Sequence, residues 1–404
     1  MQLRNSINQL GNIKINSQSL YETAFIIYFV IAYLQTSTFT LLFDNHTLHR
    51  LSFIALALVL FKIFFFDRQN MKSLIVNMLL ITFLLITWRT SDDYNLLSMG
   101  IFILGARNVD FRRVVFLYFY IGIVILAVVV FSSSIGLIQN LVYHRGNSLR
   151  QSFGIIYPTD FAAHILYLIL AYCYLYFGKI KWFQYLIFAI IAYLLILFCN
   201  ARLSAIAILL IIPVIIIGQS ARKGRLASQL LASLFWIVPA FLAYLINFIT
   251  YFYNGKGFEE KINHYLSGRL YFGHLAFEKY GISLFGKHIA EHGWGGREGL
   301  RMAKESKMFS YFFVDSSFVR ILIMYGFIAI VLLLLVMTFI SFRSFVQQDY
   351  ALASILVIVA ISAVLEQRLL DLGYNPFLLA LLTSQVYQNK FQEKVGEKFE
   401  KLYS

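Results

Sequence analysis

The sequence predicts an all-α polytopic membrane protein, and three observations lead to that prediction. Hydrophobic residues make up 60% of the 404 residues, charged residues only 13%, and the mean hydropathy is +0.72. Apolar runs long enough to cross a bilayer recur along the whole chain. Lysine and arginine are divided unevenly between alternate connections of these runs. We therefore expect a chain that crosses a membrane many times.

The apolar runs predict twelve transmembrane helices in a single domain at 19–388, with short tails at 1–18 and 389–404. One long connection, 254–313, belongs to this domain. The predicted helices lie near 19–43, 50–66, 72–88, 94–106, 112–138, 156–178, 182–199, 201–218, 227–253, 314–342, 350–365 and 372–388.

The cationic residues predict which side of the membrane each connection faces. Seventeen lie in one set of connections and in the tails, and six lie in the short connections of the other set. The positive-inside rule places the first set and both termini in the cytoplasm, so the net charge of +14 is mostly a topology signal. The long connection then faces outward, where apolar spacing over 262–280 predicts one interfacial helix and the following glycines predict a mobile lid. We expect no nucleic-acid partner.

Ionisable side chains at the outer ends of the helices are the candidate functional residues, because such groups are costly near a membrane. A helical bundle could bring them around one cavity. Arginine binds phosphate oxygens with a planar fork, so the all-arginine character of the short outer connections suggests a diphosphate or another polyanion as ligand. The alternative is that these arginines pair with Asp92, Asp160, Glu366 or Asp371 and only join helices. The arginines considered are Arg145, Arg150, Arg202, Arg269, Arg320 and Arg368.

Two positions are the strongest candidates for catalysis. Arg202 lies between two apolar runs that leave almost no loop, so its charge cannot move far into water. Asp315 joins the long connection to the next apolar run, where it could cap a helix or, if partly buried, act as a general base. Asp92 and Asp93 are rival bases. The chain has no HExxH, CxxC or Asp-x-Asp motif, so we expect no metal or other cofactor.

Four short stretches resemble those of the bacterial O-antigen polymerase and ligase superfamily, the Wzy-type membrane enzymes that build capsule and exopolysaccharide. Their order and their position around the long connection carry the resemblance. Ligases of the superfamily typically have His-Asn where this chain has Asp315, so the resemblance favours a polymerase. The stretches are Arg150-Gln151-Ser152-Phe153-Gly154 with Pro158-Thr159-Asp160, then Asn200-Ala201-Arg202, then Ser267-Gly268-Arg269 with Leu284-Phe285-Gly286, and Asp315-Ser316 with Gly326.

The resemblance implies inverting, metal-independent glycosyl transfer on the outer face of the bacterial cytoplasmic membrane. The donor would be a growing glycan on undecaprenyl diphosphate, and the acceptor a newly flipped lipid-linked repeat unit. A flippase and a chain-length regulator would be further partners. Asp315 would be the base, and Arg202 and Arg269 would contact the diphosphate. Substrate-binding roles would fall to Arg145, Arg150, Asp160, Arg320, Arg368 and His288.

Two alternatives to a polymerase stay open. One is a ligase-like enzyme of the same architecture that transfers the glycan to another acceptor. The other is a transporter or flippase for lipid-linked sugars. Charged residues cluster at the outer ends of the predicted helices rather than along a path through them, which favours an enzyme over a transporter.

Overall fold

Helices dominate the computed structural model of the chain, which is 71% helical with little sheet. The structure describes residues 16–145, 148–293, 295–296 and 311–383, with Arg145 described by its backbone alone. Within these residues seven helices are long and apolar enough to cross a membrane. The predicted class, a helical membrane protein, is confirmed at that level. The predicted number of twelve spans, the side of the termini and the sidedness of the loops are not confirmed.

Four of the first five helices begin after a polar capping residue, which accepts hydrogen bonds from backbone N–H groups that have no partner inside the helix. The four caps are Asn16, Asp44, Asn70 and Asp110. The predicted run 19–43 is not one helix, because its first helix ends at Gln35 and a separate 3-10 turn follows at Thr38–Leu41. The helices are α1 (Ser17–Gln35), α2 (Asn45–Phe65), α3 (Met71–Ser91), α4 (Asn95–Gly105) and α5 (Phe111–Ser134).

A β-hairpin, not foreseen from the sequence, follows α5. Strands β1 (Val142–Arg145) and β2 (Ser148–Gln151) pair antiparallel. The chain then enters α6 (Pro158–Leu175), whose first residue is a proline, a position where the missing N–H costs nothing. Along the apolar window of α6, 78% of the residues are buried inside the protein, against 17% for α3. Helix α6 is therefore a central helix of the bundle, and its first turn lies among protein rather than lipid.

Two long helices joined by a tight turn come next, and a broken segment follows them. The predicted run 227–253 is two helices rather than one, because the chain turns at 233–237 and Pro239 lies in the first turn of the second. The helices are α7 (Trp182–Cys199), α8 (Arg202–Arg222), α9 (Leu226–Ala232) and α10 (Val238–Tyr251).

The long connection contains two helices, α11 (Gly257–Tyr265) and α12 (Arg269–Tyr280), where one was predicted over 262–280. The break lies at Ser267 and Gly268, whose φ angles of 60° and 85° are left-handed and end a right-handed helix. Helix α12 packs against α10, and its residue Leu270 is buried. It is thus part of the bundle surface and not a free interfacial helix.

After the connection, the predicted helix 314–342 is also divided. Short helix α13 (Ser317–Arg320) runs into a π-helical turn, Ile321–Tyr325, and ends at Gly326, whose φ is 93°. Helices α14 (Phe327–Val346) and α15 (Ala351–Leu365) follow, and a 3-10 turn at Phe377–Leu381 occupies part of the predicted span 372–388. The predicted tail 389–404, positions 384–388 of that span and positions 1–15 of the first tail lie outside the described residues.

Candidate functional site

A polar cleft of about 260 Å³ lies between the ends of several helices and the middle part of the long connection. It is formed by the first turns of α6 and α8, the junction of α11 and α12, and the residue that follows α15. Arg202 and Arg269, the two arginines expected to contact the diphosphate in the reaction, line this cleft together. The other lining residues are Thr159, Asn200, Ala201, Leu203, Ser204, His264, Tyr265, Ser267 and Glu366.

Arg202 is held at the cleft by the tight turn that the sequence predicted. Asn200 ends α7 with a left-handed φ of 47°, and α8 starts two residues later at Arg202. The Arg202 Nε donates a 3.1 Å hydrogen bond to Oδ1 of Asn200, and Nδ2 of Asn200 donates to Oγ of Ser148 at 2.9 Å. The guanidinium is exposed to solvent, so its charge is accessible to a ligand.

Arg269 reaches the same cleft from the start of α12 and is more firmly fixed. Its Nε donates to the carbonyl of Leu365 at 2.9 Å, and one terminal nitrogen donates to the carbonyl of Leu266 at 3.1 Å. The same Nε lies 3.5 Å from Oδ2 of Asp315. The guanidinium is therefore oriented before any ligand arrives, which lowers the entropic cost of binding an anion.

Asp315 contacts Arg269 but is not among the described residues that line the cleft. Burial raises the pKa of its carboxyl, while Arg269, Arg368 and Arg320 oppose that rise. Its predicted alternative role as a helix cap is wrong. Helix α13 begins after Ser316, and in the described structure no side chain accepts a capping hydrogen bond there. Its role as general base stays a prediction.

Glu366 is the carboxylate that lines the cleft. The sequence placed it among the ionisable residues at the outer helix ends but gave it no catalytic or binding role. It follows the last residue of α15 and is 7% exposed. Ser204 donates a 2.7 Å hydrogen bond to its Oε1. Burial raises the pKa of Glu366, against the Ser204 hydrogen bond and the charges of Arg368 and Arg269. One feature of the sequence could have indicated a site role for Glu366. It lies directly after an apolar run and two residues before Arg368.

Two arginines that were predicted to bind substrate form ion pairs with carboxylates. A terminal nitrogen of Arg320 lies 2.7 Å from Oε2 of Glu291, whose Oε1 accepts a 3.0 Å hydrogen bond from the Val314 N–H. Arg368 is ion-paired with Asp160. The pair of Arg368 and Asp160 is one that the alternative named, in which arginines join helices, whereas Glu291 was not among the carboxylates it named. The substrate-binding roles of both arginines stay predictions.

The other predicted substrate-binding residues do not meet at the cleft lining. Arg150 is 4% exposed, and its Nε donates to the carbonyl of Cys199 at 2.9 Å, which ties β2 to the end of α7. His288 is exposed, and its Nδ1 lies 3.3 Å from the carbonyl oxygen of Ser91 at the end of α3. The side chain of Arg145 lies outside the described residues. Arg150 thus stabilises the end of α7, next to the turn that leads to Arg202.

The rival base candidates lie elsewhere in the described structure. Asp93 accepts a 2.6 Å hydrogen bond from the Tyr325 hydroxyl and a 2.8 Å hydrogen bond from the N–H of Asn95 at the start of α4. Asp92 is exposed at the end of α3. Neither lines the polar cleft.

A larger cavity of about 790 Å³ is lined almost wholly by apolar side chains of α3, α4 and α14. Phe83, Met99 and Phe339 are examples. None of its described lining residues is charged or titratable, so it offers no cation for an anionic ligand and no acid or base. We therefore place the candidate site in the smaller polar cleft.

Within the described residues no group of three or more His, Cys, Asp or Glu side chains could hold a metal ion. Comparisons of the chain with protein-family models, curated proteins and solved structures gave no match. The resemblance to the O-antigen polymerase and ligase superfamily therefore stays an expectation based on four short motifs. What the structure does give is a mostly helical protein with, among the described residues, seven helices that are long and apolar enough to cross a membrane.

Proposed function

We propose that this protein is a membrane glycosyltransferase that polymerises lipid-diphosphate-linked glycan repeat units. The observation that carries the proposal is the shared cleft of Arg202 and Arg269, at the end of apolar helices. Two guanidinium groups on one cleft suit a ligand with paired anionic oxygens. The apolar helices next to it suit a ligand that is anchored in the bilayer. A lipid diphosphate combines both properties.

The donor is a growing glycan on undecaprenyl diphosphate and the acceptor a single lipid-linked repeat unit, as the resemblance implies. The reaction takes place on the outer face of the bacterial cytoplasmic membrane. Cleavage of the bond between sugar and diphosphate leaves negative charge on the leaving oxygen. Arg202 and Arg269 are placed to stabilise that charge, which is a larger contribution in a partly enclosed cleft than in water. The reaction then needs no metal ion from the protein.

The test is a polymerisation assay with purified protein in lipid nanodiscs, lipid-linked repeat units and EDTA. A ladder of products is the expected result for the wild type. Arg202→Ala and Arg269→Ala should each lower the rate about 10²-fold or more, because each removes a cation from the leaving group. Arg50→Ala is the matched control, since Arg50 is exposed at the start of α2 and does not line the cleft.

The same variants separate the polymerase from a transporter when they are produced in cells. Loss of long polymer with continued appearance of single repeat units at the surface supports the polymerase. Loss of surface repeat units in Arg202→Ala cells would favour a transporter. A wild-type protein that forms no ladder from authentic repeat units would contradict the proposed activity directly.

A further inference from the structure

One carboxylate oxygen at the polar cleft has no hydrogen-bond partner among the described residues. It is Oε2 of Glu366, a buried atom of a residue that lines the cleft. The other oxygen, Oε1, accepts the 2.7 Å hydrogen bond from Ser204. A buried carboxylate oxygen without a donor is costly. A ligand that brings its own O–H group to this cleft would remove that cost.

The nearby carboxylates of the described structure are already engaged. Asp315 lies 3.5 Å from Arg269, and Asp160 is paired with Arg368. Glu291 is held by Arg320 and by a backbone N–H. A carboxylate that is paired with an arginine loses the electrostatic attraction of that pair when it accepts a proton. Glu366 is therefore the carboxylate of this region best suited to accept one.

We propose that Glu366 is the general base of the transfer, and that it takes the proton of the acceptor sugar hydroxyl on Oε2. This assignment rests on the proposed function, because it names a role within that reaction. The acceptor oxygen bonds to the anomeric carbon of the donor sugar. The bond from that carbon to the diphosphate breaks, and its electron pair leaves with the lipid diphosphate. The hydroxyl proton passes to Glu366, which releases it to water before the next cycle.

The surroundings of Glu366 favour this role. The charged groups that act on it are Arg269, Arg368 and Asp160, and Ser204 is its hydrogen-bond donor. Burial is the largest influence and raises the pKa of the carboxyl, which makes the ionised form a stronger base than an exposed glutamate. Arg202 and Arg269 line the same cleft, so the leaving diphosphate and the acceptor hydroxyl would occupy one compartment.

Asp315 then has a different function in the same site. Its Oδ2 lies beside Nε of Arg269, the nitrogen that also donates to the carbonyl of Leu365. We assign Asp315 as a positioning residue for that guanidinium. Loss of its charge should weaken the hold on the diphosphate more than it slows the transfer of the proton.

The experiment compares Glu366→Gln with Asp315→Asn in the polymerisation assay, with substrate binding and rates measured across pH. Glu366→Gln keeps an acceptor for Ser204 but cannot take a proton. We expect it to bind the lipid-linked substrate, to lower kcat by about 10²–10⁴-fold, and to abolish the fall in wild-type rate at acid pH. Asp315→Asn should mainly raise KM. It should keep the acid limb of the pH–rate profile, which is the fall in rate at acid pH.

The opposite pattern, in which Glu366→Gln keeps the wild-type kcat and acid limb while Asp315→Asn loses both, would overturn the assignment and leave the glycosyltransferase intact. A wild-type protein without activity would instead remove the proposed function, and this inference with it. If Glu366→Gln cannot be purified, Glu366→Asp retains a carboxylate but withdraws it by one methylene. We expect a lower kcat from that variant, and an unchanged kcat would also overturn the assignment.

Discussion

The hydroxyl of Ser204 donates a 2.7 Å hydrogen bond to Oε1 of Glu366, across 162 positions of sequence. This bond joins the first turn of α8 to the residue that follows α15, two elements that both border the polar cleft. It leaves Oε2 of Glu366 as the oxygen without a partner in the described part of the chain. The bond thus fixes the carboxylate and leaves Oε2 as the oxygen with a free site for a hydrogen bond from a ligand.

Replacement of Ser204 by alanine should move the acid limb of the pH–rate profile to higher pH. The Ser204 hydrogen bond lowers the pKa of Glu366, so its loss raises that pKa further. The base is then protonated over more of the acid range. A shift of about one to two pH units is expected, since a hydrogen bond to a charged group contributes about 1.5–3 kcal/mol and one pKa unit corresponds to about 1.4 kcal/mol.

The measurement for Ser204→Ala is kcat/KM of the polymerisation reaction between pH 4 and 8. Ser341→Ala is the control, because Ser341 is also a buried serine but lies on α14 and does not line the cleft. An acid limb that stays in place, or that moves to lower pH, would be inconsistent with proton transfer to Glu366.

Gly286 should be far less tolerant of alanine than Gly224, although both have nearly the same backbone conformation. Their φ angles are 83° and 84°. A Cβ on Gly286 would lie 2.0 Å from the carbonyl oxygen of Met324, whereas a Cβ on Gly224 would meet nothing within 4 Å. Gly224→Ala therefore adds backbone strain alone, about 1–2 kcal/mol. Gly286→Ala adds a backbone clash as well, and we expect a cost above about 3 kcal/mol.

Thermal unfolding of the two variants in one detergent provides the comparison. The larger loss of Tm in Gly286→Ala would establish that the long connection is anchored on the π-helical turn before α14, where the Lys287 N–H donates to Met324 at 3.0 Å. Equal losses of Tm would mean that this contact does not hold the connection in place. The glycine-rich stretch was predicted to be a mobile lid, but at Gly286 the backbone packs closely against Met324.

Hydropathy predicted helices well where the backbone is regular and less well where it breaks. The run 182–199 coincides with Trp182–Cys199. The run 314–342 contains a break that hydropathy cannot detect, because Gly326 adopts a left-handed φ of 93° among apolar neighbours. The same holds for 262–280, where Ser267 and Gly268 interrupt an apolar spacing that continues on both sides.

For the site, the sequence identified the residue types but not their partners. Arg202 was predicted correctly to lie in a tight turn, because the turn is local in sequence. The choice between binding a ligand and joining helices depends on which carboxylate meets each arginine. Arg368 and Asp160 are 208 positions apart, so their pairing is a property of the tertiary fold alone. Glu366 could not be chosen as a base until Ser204 was known to contact it.

The ion pair of Arg368 and Asp160 should contribute to stability rather than to substrate binding. Both side chains are mostly buried, and Arg368 also lies 4.7 Å above the ring centroid of Tyr374. Removing one charge leaves the other buried without a partner, at a cost of about 3–5 kcal/mol. Asp160→Asn and Arg368→Gln should each lower the Tm, and the double variant should lose less than the sum of the two.

A double-mutant cycle of unfolding free energies, together with KM for the lipid-linked substrate, decides between the two roles. A coupling energy above about 1 kcal/mol supports the structural pair, because residues in contact do not act additively. If the losses of unfolding free energy are additive and Arg368→Gln raises KM, Arg368 binds substrate, as the sequence predicted.

Asp371 should make the folded protein less stable as the pH rises through the acid range. Burial raises the pKa of its carboxyl from the ordinary value of 3.8 to about 6, although Arg368 and a 2.8 Å hydrogen bond from the Gly373 N–H oppose the rise. The unfolded chain therefore ionises first as the pH increases from about 4 to about 6. The upper limit for the stability lost through Asp371 over that interval is about 3 kcal/mol. The actual loss should be smaller, because the side chain is partly exposed and solvent screens its charge.

Asp371→Asn removes the titration while it keeps an oxygen for the Gly373 N–H. We expect a variant that is more stable than the wild type at pH 7, indistinguishable from it near pH 4, and less sensitive to pH in between. The test is the free energy of unfolding measured at steps of about half a pH unit. Asp92→Asn is the control, because Asp92 is exposed. The raised pKa values of Glu291, Asp315 and Glu366 act in the same direction, so part of the slope should persist. A variant with the full wild-type slope would show that Asp371 ionises as readily in the folded chain as in the unfolded one.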